Sequence, residues 1–376
     1  MVEYPLLADM AERGHEQVVF VNDAPTGLHA VIAIHSTALG PALGGVRFWT
    51  YPTEAEAVTD ALRLSEAMTL KAAAAGLHQG GAKAVVLVGD PYGPHSEAMV
   101  RALGQAIDEL GGRYLAAEDV GASTRDMDLM ALETPWVTGV DECAGGSGDP
   151  SPLTAVGVLH AMRATMRELD GEPSLSGRSV VVQGAGHVGA ALVDRLVEAG
   201  AIVTVADVER ARADALAVHH GVRVVDAAAV LEQNCDVLAP CALGAVLNHE
   251  TIPRLACRAV CGAANNQLAR AADDDALAAR GILYAPDFVA NAGGIVNIAE
   301  EFVGYSRARA LARVAEIEHT ITRVFELARA RGLPPGHAAE QLARERIARE
   351  GRGRWRPGDP AAWTNGAPLR ALRPAQ

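Results

Sequence analysis

The chain has 376 residues, 49% of them apolar, and a formal net charge of −13. That length favours two domains over one core. The acidic balance argues against a nucleic-acid binder, whose phosphate contacts need a basic face, and no stretch reaches the roughly 18 unbroken apolar residues of a membrane span. The five cysteines (Cys143, Cys235, Cys241, Cys257, Cys261) lack CxxC spacing, and the twelve histidines include no HExxH. Neither a disulfide framework nor a metal site is therefore expected. No basic-then-apolar signal layout opens the chain, so the expected location is cytoplasmic.

In chain order, "VVFVND" and "LHAVIAIHS" read as strands. Thr53 to Met68 reads as a helix, with Thr53 and Glu56 as a capping box and Val58, Ala61, Leu62 and Met68 at helical spacing. "AVVLV" after Lys83 reads as a buried strand, Ser96 to Leu110 as a helix and "RYLAA" as a strand. This order predicts an α/β domain with a mostly parallel sheet over residues 1–142. "DECAGGSGDPSP" reads as a connection. A helix from Thr154 to Leu169 precedes a second α/β pattern, and the second domain is expected to cover 143–334. A long helix, about Ser306 to Arg331, stops at Gly332 and Pro334. The segment from about 335 to 376, with a shorter helix, is expected to pack back on the first domain. Its basic, proline-rich end, "RGRWRPGDPAAWTNGAPLRALRPAQ", reads as a loosely ordered tail or subunit contact, with RNA binding as the alternative.

The most legible piece is "SVVVQGAGHVGAALVDRLVEAGAIVTVADVER". An apolar strand runs into Gly184-x-Gly186-x-x-Gly189, with His187 and Val188 inside the motif, and an amphipathic helix follows. Gly184 permits a tight turn, Gly186 lets the backbone approach a pyrophosphate, and Gly189 lets helix and strand pack closely. The helix start offers free N–H groups to the phosphates. Asp207 ends the second strand, 23 residues after Gly184. A carboxylate there accepts the adenosine ribose and repels a 2′-phosphate, which favours NAD over NADP. A flavin or another nucleotide is the alternative.

Lys71 and Lys83 are the only lysines in the chain; every other basic residue of the Lys/Arg class is arginine. Lys71 suits a helix C-terminus, and Lys83 could be a solvated residue at a strand start. The "GGAK" context instead places a cation before a strand too apolar for the surface. A partly buried lysine loses basicity and can work as a base near neutral pH. Asp119, in "AAEDVG", follows directly on a strand, where open α/β sheets place ligands; the bland alternative is a turn cap. Gly44 and Gly45 in "GPALGGVRFW" allow a ligand close to the main chain, or simply make a turn.

"GPALGGVRFW", "MTLKAAAAGLHQGGAK", "GRYLAAEDVG", "VVVQGAGHVG", "APCALGAVLN", "CGAANNQLA" and "YAPDFVANAGGIVNIAEE" occur in the order found in amino-acid dehydrogenases. Over about residues 25 to 345 the chain resembles the glutamate/leucine/phenylalanine/valine dehydrogenase superfamily, with the leucine and valine branch closest. The resemblance implies NAD-dependent, reversible oxidative deamination of an L-amino acid to its 2-oxo acid and ammonia. It implies a substrate domain followed by a Rossmann-type NAD domain with a cleft between them, in a homo-oligomer. It also implies roles: Lys71 for the substrate α-carboxylate, Lys83 to activate water, and Asp119 to exchange protons with the amino group. Met68, Gly44 and Gly45 belong to the same substrate motifs. Asn265 is expected to hold the nicotinamide or the substrate, and Thr154 to lie near the nicotinamide; a turn asparagine and a helix N-cap are the alternatives. An arginine could hold a carboxylate but could not deprotonate as a base.

Glutamate-specific relatives carry a lysine at the position of Leu43 and a serine at that of Ile298. Burying a side-chain carboxylate against Leu43, Ile295 and Ile298 would leave a charge unpaired, at a cost of several kcal/mol. Leucine, valine or isoleucine is the expected substrate. The alternatives are a phenylalanine or tryptophan dehydrogenase of the same family and a non-catalytic NAD-binding regulatory protein. His187, where relatives often have asparagine, and Gly189, where several have alanine, are departures that leave phosphate binding intact.

Overall fold

The computed structural model describes residues 5–141, 143 and 146–357. The chain forms two compact units. One comprises Met1–Asp149, Ile298–Arg307 and Ala343–Gln376; the other comprises Pro150–Asn297 and Ala308–Leu342.

The first unit runs α1 (Leu6–Arg13), β1 (Gln17–Asp23), β2 (Leu28–Ser36), β3 (Ala42–Trp49), α2 (Glu54–Ala74), β4 (Gly80–Leu87), α3 (Glu97–Asp108), β5 (Tyr114–Glu118) and α4 (Thr124–Ala131). The strand order is β1-β2-β4-β3-β5. β3 pairs parallel with β4 and β5, but β2 pairs antiparallel with β1 and β4. The sheet is therefore mixed rather than mostly parallel, because the β1–β2 hairpin adds two antiparallel pairings. Alternate residues of β2 face opposite ways. Ile32 and Ile34 join Phe48, Val86, Leu103 and Tyr114 in one apolar cluster, while Val31 and Ala33 meet Ala57, Ala61 and Leu62 of α2 in another.

One alternative falls away and one boundary moves. "GPALGGVRFW" is not a turn: its last eight residues form β3, between β4 and β5. β4 begins at Gly80, so Lys83 lies inside the strand, opposite Ala33 of β2, rather than ahead of it. The Thr53 side chain does accept the Glu56 N–H, at 3.3 Å, and α2 continues to Ala74.

The second unit runs α5 (Ser151–Asp170), β6 (Ser179–Gln183), α6 (His187–Glu198), β7 (Ile202–Ala206), α7 (Arg210–His220), β8 (Arg223–Val224), β9 (Cys235–Pro240), β10 (Cys257–Val260), α8 (Ala272–Ala279), β11 (Leu283–Tyr284) and α9 (Asp287–Ala290). α10 (Gly293–Ala299), α11 (Arg307–Arg331) and α12 (Pro335–Glu350) follow. Its sheet, β11-β10-β9-β6-β7-β8, is parallel throughout. The order reverses beside β6, which is the switch point where doubly wound sheets bind nucleotides.

Residues 351–357 are not a loose tail. The Arg352 N–H donates to the Ala38 carbonyl and the Trp355 N–H to Thr37 Oγ1, both at 2.9 Å. The rest of the basic segment lies outside the described residues.

Candidate active site

Three neighbouring strands assemble a charged cluster in the first unit. β4 carries Lys83, β3 carries Arg47, and Asp119 follows the last residue of β5. Lys83 Nζ donates to Asp119 Oδ2 at 2.5 Å, and Arg47 Nε donates to the same oxygen at 2.9 Å. Arg47 Nη1 also donates to Asp60 Oδ2 of α2 at 2.9 Å. Asp60 is held in turn by Tyr51 Oη at 2.7 Å and Arg63 Nη2 at 2.8 Å.

The Lys83 side chain is 5% exposed. Burial lowers its ammonium from the ordinary range; Asp119 opposes that shift and Arg47 adds to it. Burial alone would raise the Asp119 carboxyl, but Lys83 and Arg47 outweigh it and hold it at about 2. The pair thus joins a carboxylate ionised at neutral pH to an amine whose burial favours loss of its proton, a pairing suited to acid–base chemistry.

The glycines of β3 have separate reasons to be glycine. A Cβ at Gly44 would run into the Ala82 carbonyl of β4, so this position serves strand packing. A Cβ at Gly45 would instead stand 2.5 Å from Asp119 Cβ and 3.1 Å from Lys83 Nζ. Tyr114 Oη donates to the Gly44 carbonyl at 3.0 Å. Leu43 is fully buried, with Gly81 and Leu115 as its neighbours across the sheet. Met68 and Lys71, both half-buried, lie three residues apart and therefore on one face of α2.

In the second unit the fingerprint has the geometry its residues predict. Gly184 has φ +103°, which favours glycine, and a Cβ at Gly189 would run into the Gly184 carbonyl. A Cβ at Gly186 would meet nothing within 4 Å, so open space lies beside that backbone at the start of α6, where a pyrophosphate can approach. His187 and Val188 are the first two residues of the helix. Asp207 lies just past β7, and its carboxylate accepts the Ala185 N–H at 2.6 Å and the Glu209 N–H at 2.8 Å. The carboxylate is thereby fixed at the rim of the glycine loop. These residues fit a dinucleotide.

Thr154 is not the N-cap of α5. It lies in the first turn, and its hydroxyl donates to the Pro150 carbonyl at 3.0 Å. Asn265 is exposed in the turn after β10, and its Oδ1 accepts from Asn291 Nδ2 at 2.9 Å. Ile295, buried, and Ile298, half-buried, are one turn apart on α10.

Lys83, Asp119 and Gly45 thus come together in one unit, and Gly184, Gly186, Gly189 and Asp207 in the other. Sequence reasoning missed Arg47 and Asp60. The signal for Arg47 was its place two residues after Gly45, on the same face once the stretch is a strand. It also missed Glu301, a buried carboxylate that accepts the N–H of Ser147 at 2.9 Å and of Gly139 at 3.2 Å.

Residues 15–136 match the family model "Glu/Leu/Phe/Val dehydrogenase, dimerisation domain", and residues 145–211 and 205–353 match "Glutamate/Leucine/Phenylalanine/Valine dehydrogenase". The chain is 48% identical to leucine dehydrogenase of Thermoactinomyces intermedius, over 90% of this chain and 92% of the relative. It is 49% identical to valine dehydrogenase of Streptomyces albus, over 89% and 93%. Among solved structures, L-tryptophan dehydrogenase from Nostoc punctiforme superposes with a TM-score of 0.81 at 37% identity, covering 92% of this chain and 99% of that one.

Proposed function

Because the chain belongs to the Glu/Leu/Phe/Val dehydrogenase family, we propose that it catalyses the reversible, NAD-dependent oxidative deamination of a branched-chain L-amino acid. Leucine, valine or isoleucine, with water and NAD, becomes the 2-oxo acid, ammonia and NADH. The observation that carries the reading is the buried Lys83–Asp119 pair, at 2.5 Å.

The nicotinamide, when bound, supplies the hydride acceptor. Gly184, Gly186 and Gly189 with the start of α6 hold the pyrophosphate, and Asp207 holds the adenosine ribose, which selects NAD. Thr154 and Asn265 serve the nicotinamide end. Lys71 binds the substrate α-carboxylate as a fixed charge. Asp119, ionised at neutral pH, takes a proton from the substrate amino group. After hydride departure has left an imino acid, neutral Lys83 takes a proton from water, whose oxygen attacks the imino carbon. In the collapse of that adduct Asp119 returns its proton to nitrogen and, ionised again, takes the hydroxyl proton as the carbonyl forms and ammonia leaves; Asp119 and Lys83 then release their protons to solvent.

None of Leu43, Ile295 and Ile298, the positions that the family resemblance assigns to the substrate side chain, carries a cation or a hydrogen-bonding group, which suits a short branched chain and disfavours glutamate. Among the described residues no helix is long and apolar enough to cross a membrane; cytoplasmic location is part of the proposal. So is homo-oligomerisation through the first unit, the part matched by the family's dimerisation domain.

The test is NADH formation with a panel of L-amino acids, beside Lys83→Ala. NADH should form with leucine, valine or isoleucine, and the variant should lose a factor on the order of 10²–10⁴. Silence with every amino acid, despite measured NAD binding, would overturn the reading.

A further inference from the structure

The cluster around Asp119 holds one cation more than the reaction uses. Lys83 Nζ and Arg47 Nε both donate to Oδ2, from adjacent strands. Arg47 is fixed at its far end by Asp60, itself bound by Tyr51 and Arg63. Such a fork across two carboxylates is a geometry that arginine suits and lysine does not.

We infer that Arg47 is a positioning residue for the catalytic pair: it holds Asp119 charged and in place when Lys83 gives up its proton. The inference rests on the dehydrogenase reading, in which Lys83 must cycle between charged and neutral forms. With Lys83 as its only counter-ion, Asp119 would be left as an unpaired buried charge each time the lysine became neutral. The proton would then tend to pass from lysine to carboxylate, and the two groups would titrate as one coupled pair. Arg47 never deprotonates, so it separates the two roles. It keeps Asp119 ionised in the resting pair, ready to take the substrate's proton, and, being a like charge, favours neutral Lys83. The charged groups acting on Lys83 are Asp119 after β5, Arg47 on β3 and Asp60 on α2; Arg63 and Tyr51 act on Asp60.

The chain has only two lysines, so the test can be made on the whole protein by NMR. With lysine labelled at its side-chain nitrogen, Lys71 and Lys83 give two titrating signals, and Lys83→Met identifies which is which. In Arg47→Gln the Lys83 midpoint should rise by about one unit. The acid limb of kcat/KM should move with it, a loss of about tenfold on that limb, while KM for NAD stays unchanged. In Asp60→Asn, which removes a negative charge and keeps the shape, the midpoint should fall instead. Opposite signs in the two variants are not what loosened packing would produce. An unmoved Lys83 signal in folded Arg47→Gln overturns the inference. If that variant does not fold, a Lys83 midpoint in Asp60→Asn that is unchanged or raised overturns it. The titration needs no turnover, so failure of the dehydrogenase reading is seen separately, as wild-type protein that makes no NADH.

Discussion

A Cβ at residue 45 would stand 3.1 Å from Lys83 Nζ and 2.5 Å from Asp119 Cβ, so Gly45 is what allows the lysine and the carboxylate to meet beside β3. Gly45→Ala should therefore displace the pair, because Asp119 Cβ moves only with its own backbone at the end of β5, and should cost less stability than Gly44→Ala, whose Cβ would run into a backbone carbonyl at shorter range. Displacement of about 1 Å is enough to cost roughly 10²-fold in rate. Gly44→Ala should behave differently. Its Cβ would meet the Ala82 backbone, which cannot move aside, and the cost should appear as about 1–3 kcal/mol of stability. Steady-state kinetics and thermal unfolding of both variants check the contrast; equal losses of activity and stability in the two would refute it.

Asp207 is tied to the glycine loop through the Ala185 N–H and to the next turn through the Glu209 N–H. Asp207→Asn keeps the length and an acceptor oxygen but removes the charge that would repel a 2′-phosphate. The ratio of kcat/KM with NADP to that with NAD should rise about tenfold or more, the scale of one charge-assisted hydrogen bond. If the ratio does not change, the carboxylate does not serve the adenosine ribose.

His15 is buried against α2, with its ring edge-on to His35 at 4.7 Å between centroids. Burial first, and then the neighbouring imidazole, lower its pKa from 6.5 to about 4. Between those values the unfolded chain binds a proton that the folded protein refuses. The stability involved is complete above pH 6.5 and is lost as pH falls towards 4. From pH 7 to pH 5 this group should remove about 2 kcal/mol. Urea unfolding at the two pH values should show a steeper loss for wild type than for His15→Gln. Parallel losses would mean that His15 is not the responsible group.

Local chemistry was legible where it acts over a few residues. Ser96 was placed at the start of a helix and accepts the Met99 N–H. Gly184 and Gly189 adopt the turn and the close packing that their motif demands. Lys83 and Asp119 were each selected from their immediate context, but nothing local stated that they would lie 2.5 Å apart. Arg47 went unnoticed because attention in its segment fell on Gly44 and Gly45, and no strand was assigned there to put Arg47 on the face of Gly45.

By itself, then, the sequence determined the dinucleotide fingerprint, the helix caps, the two-domain α/β pattern and the acidic net charge. These follow from backbone freedom at glycine, side-chain capping and hydrophobic period, all of which act between near neighbours. Tertiary structure decided that "ALGGVRFW" is a strand in the middle of a mixed sheet, since its glycines are demanded by the Ala82 carbonyl and the Lys83–Asp119 contact rather than by any turn. It also decided that Arg47 and Lys83 share one oxygen of Asp119. Strand register brings residues 36 and 72 positions away from Asp119 to the same point, and register is set by how whole strands bury their faces.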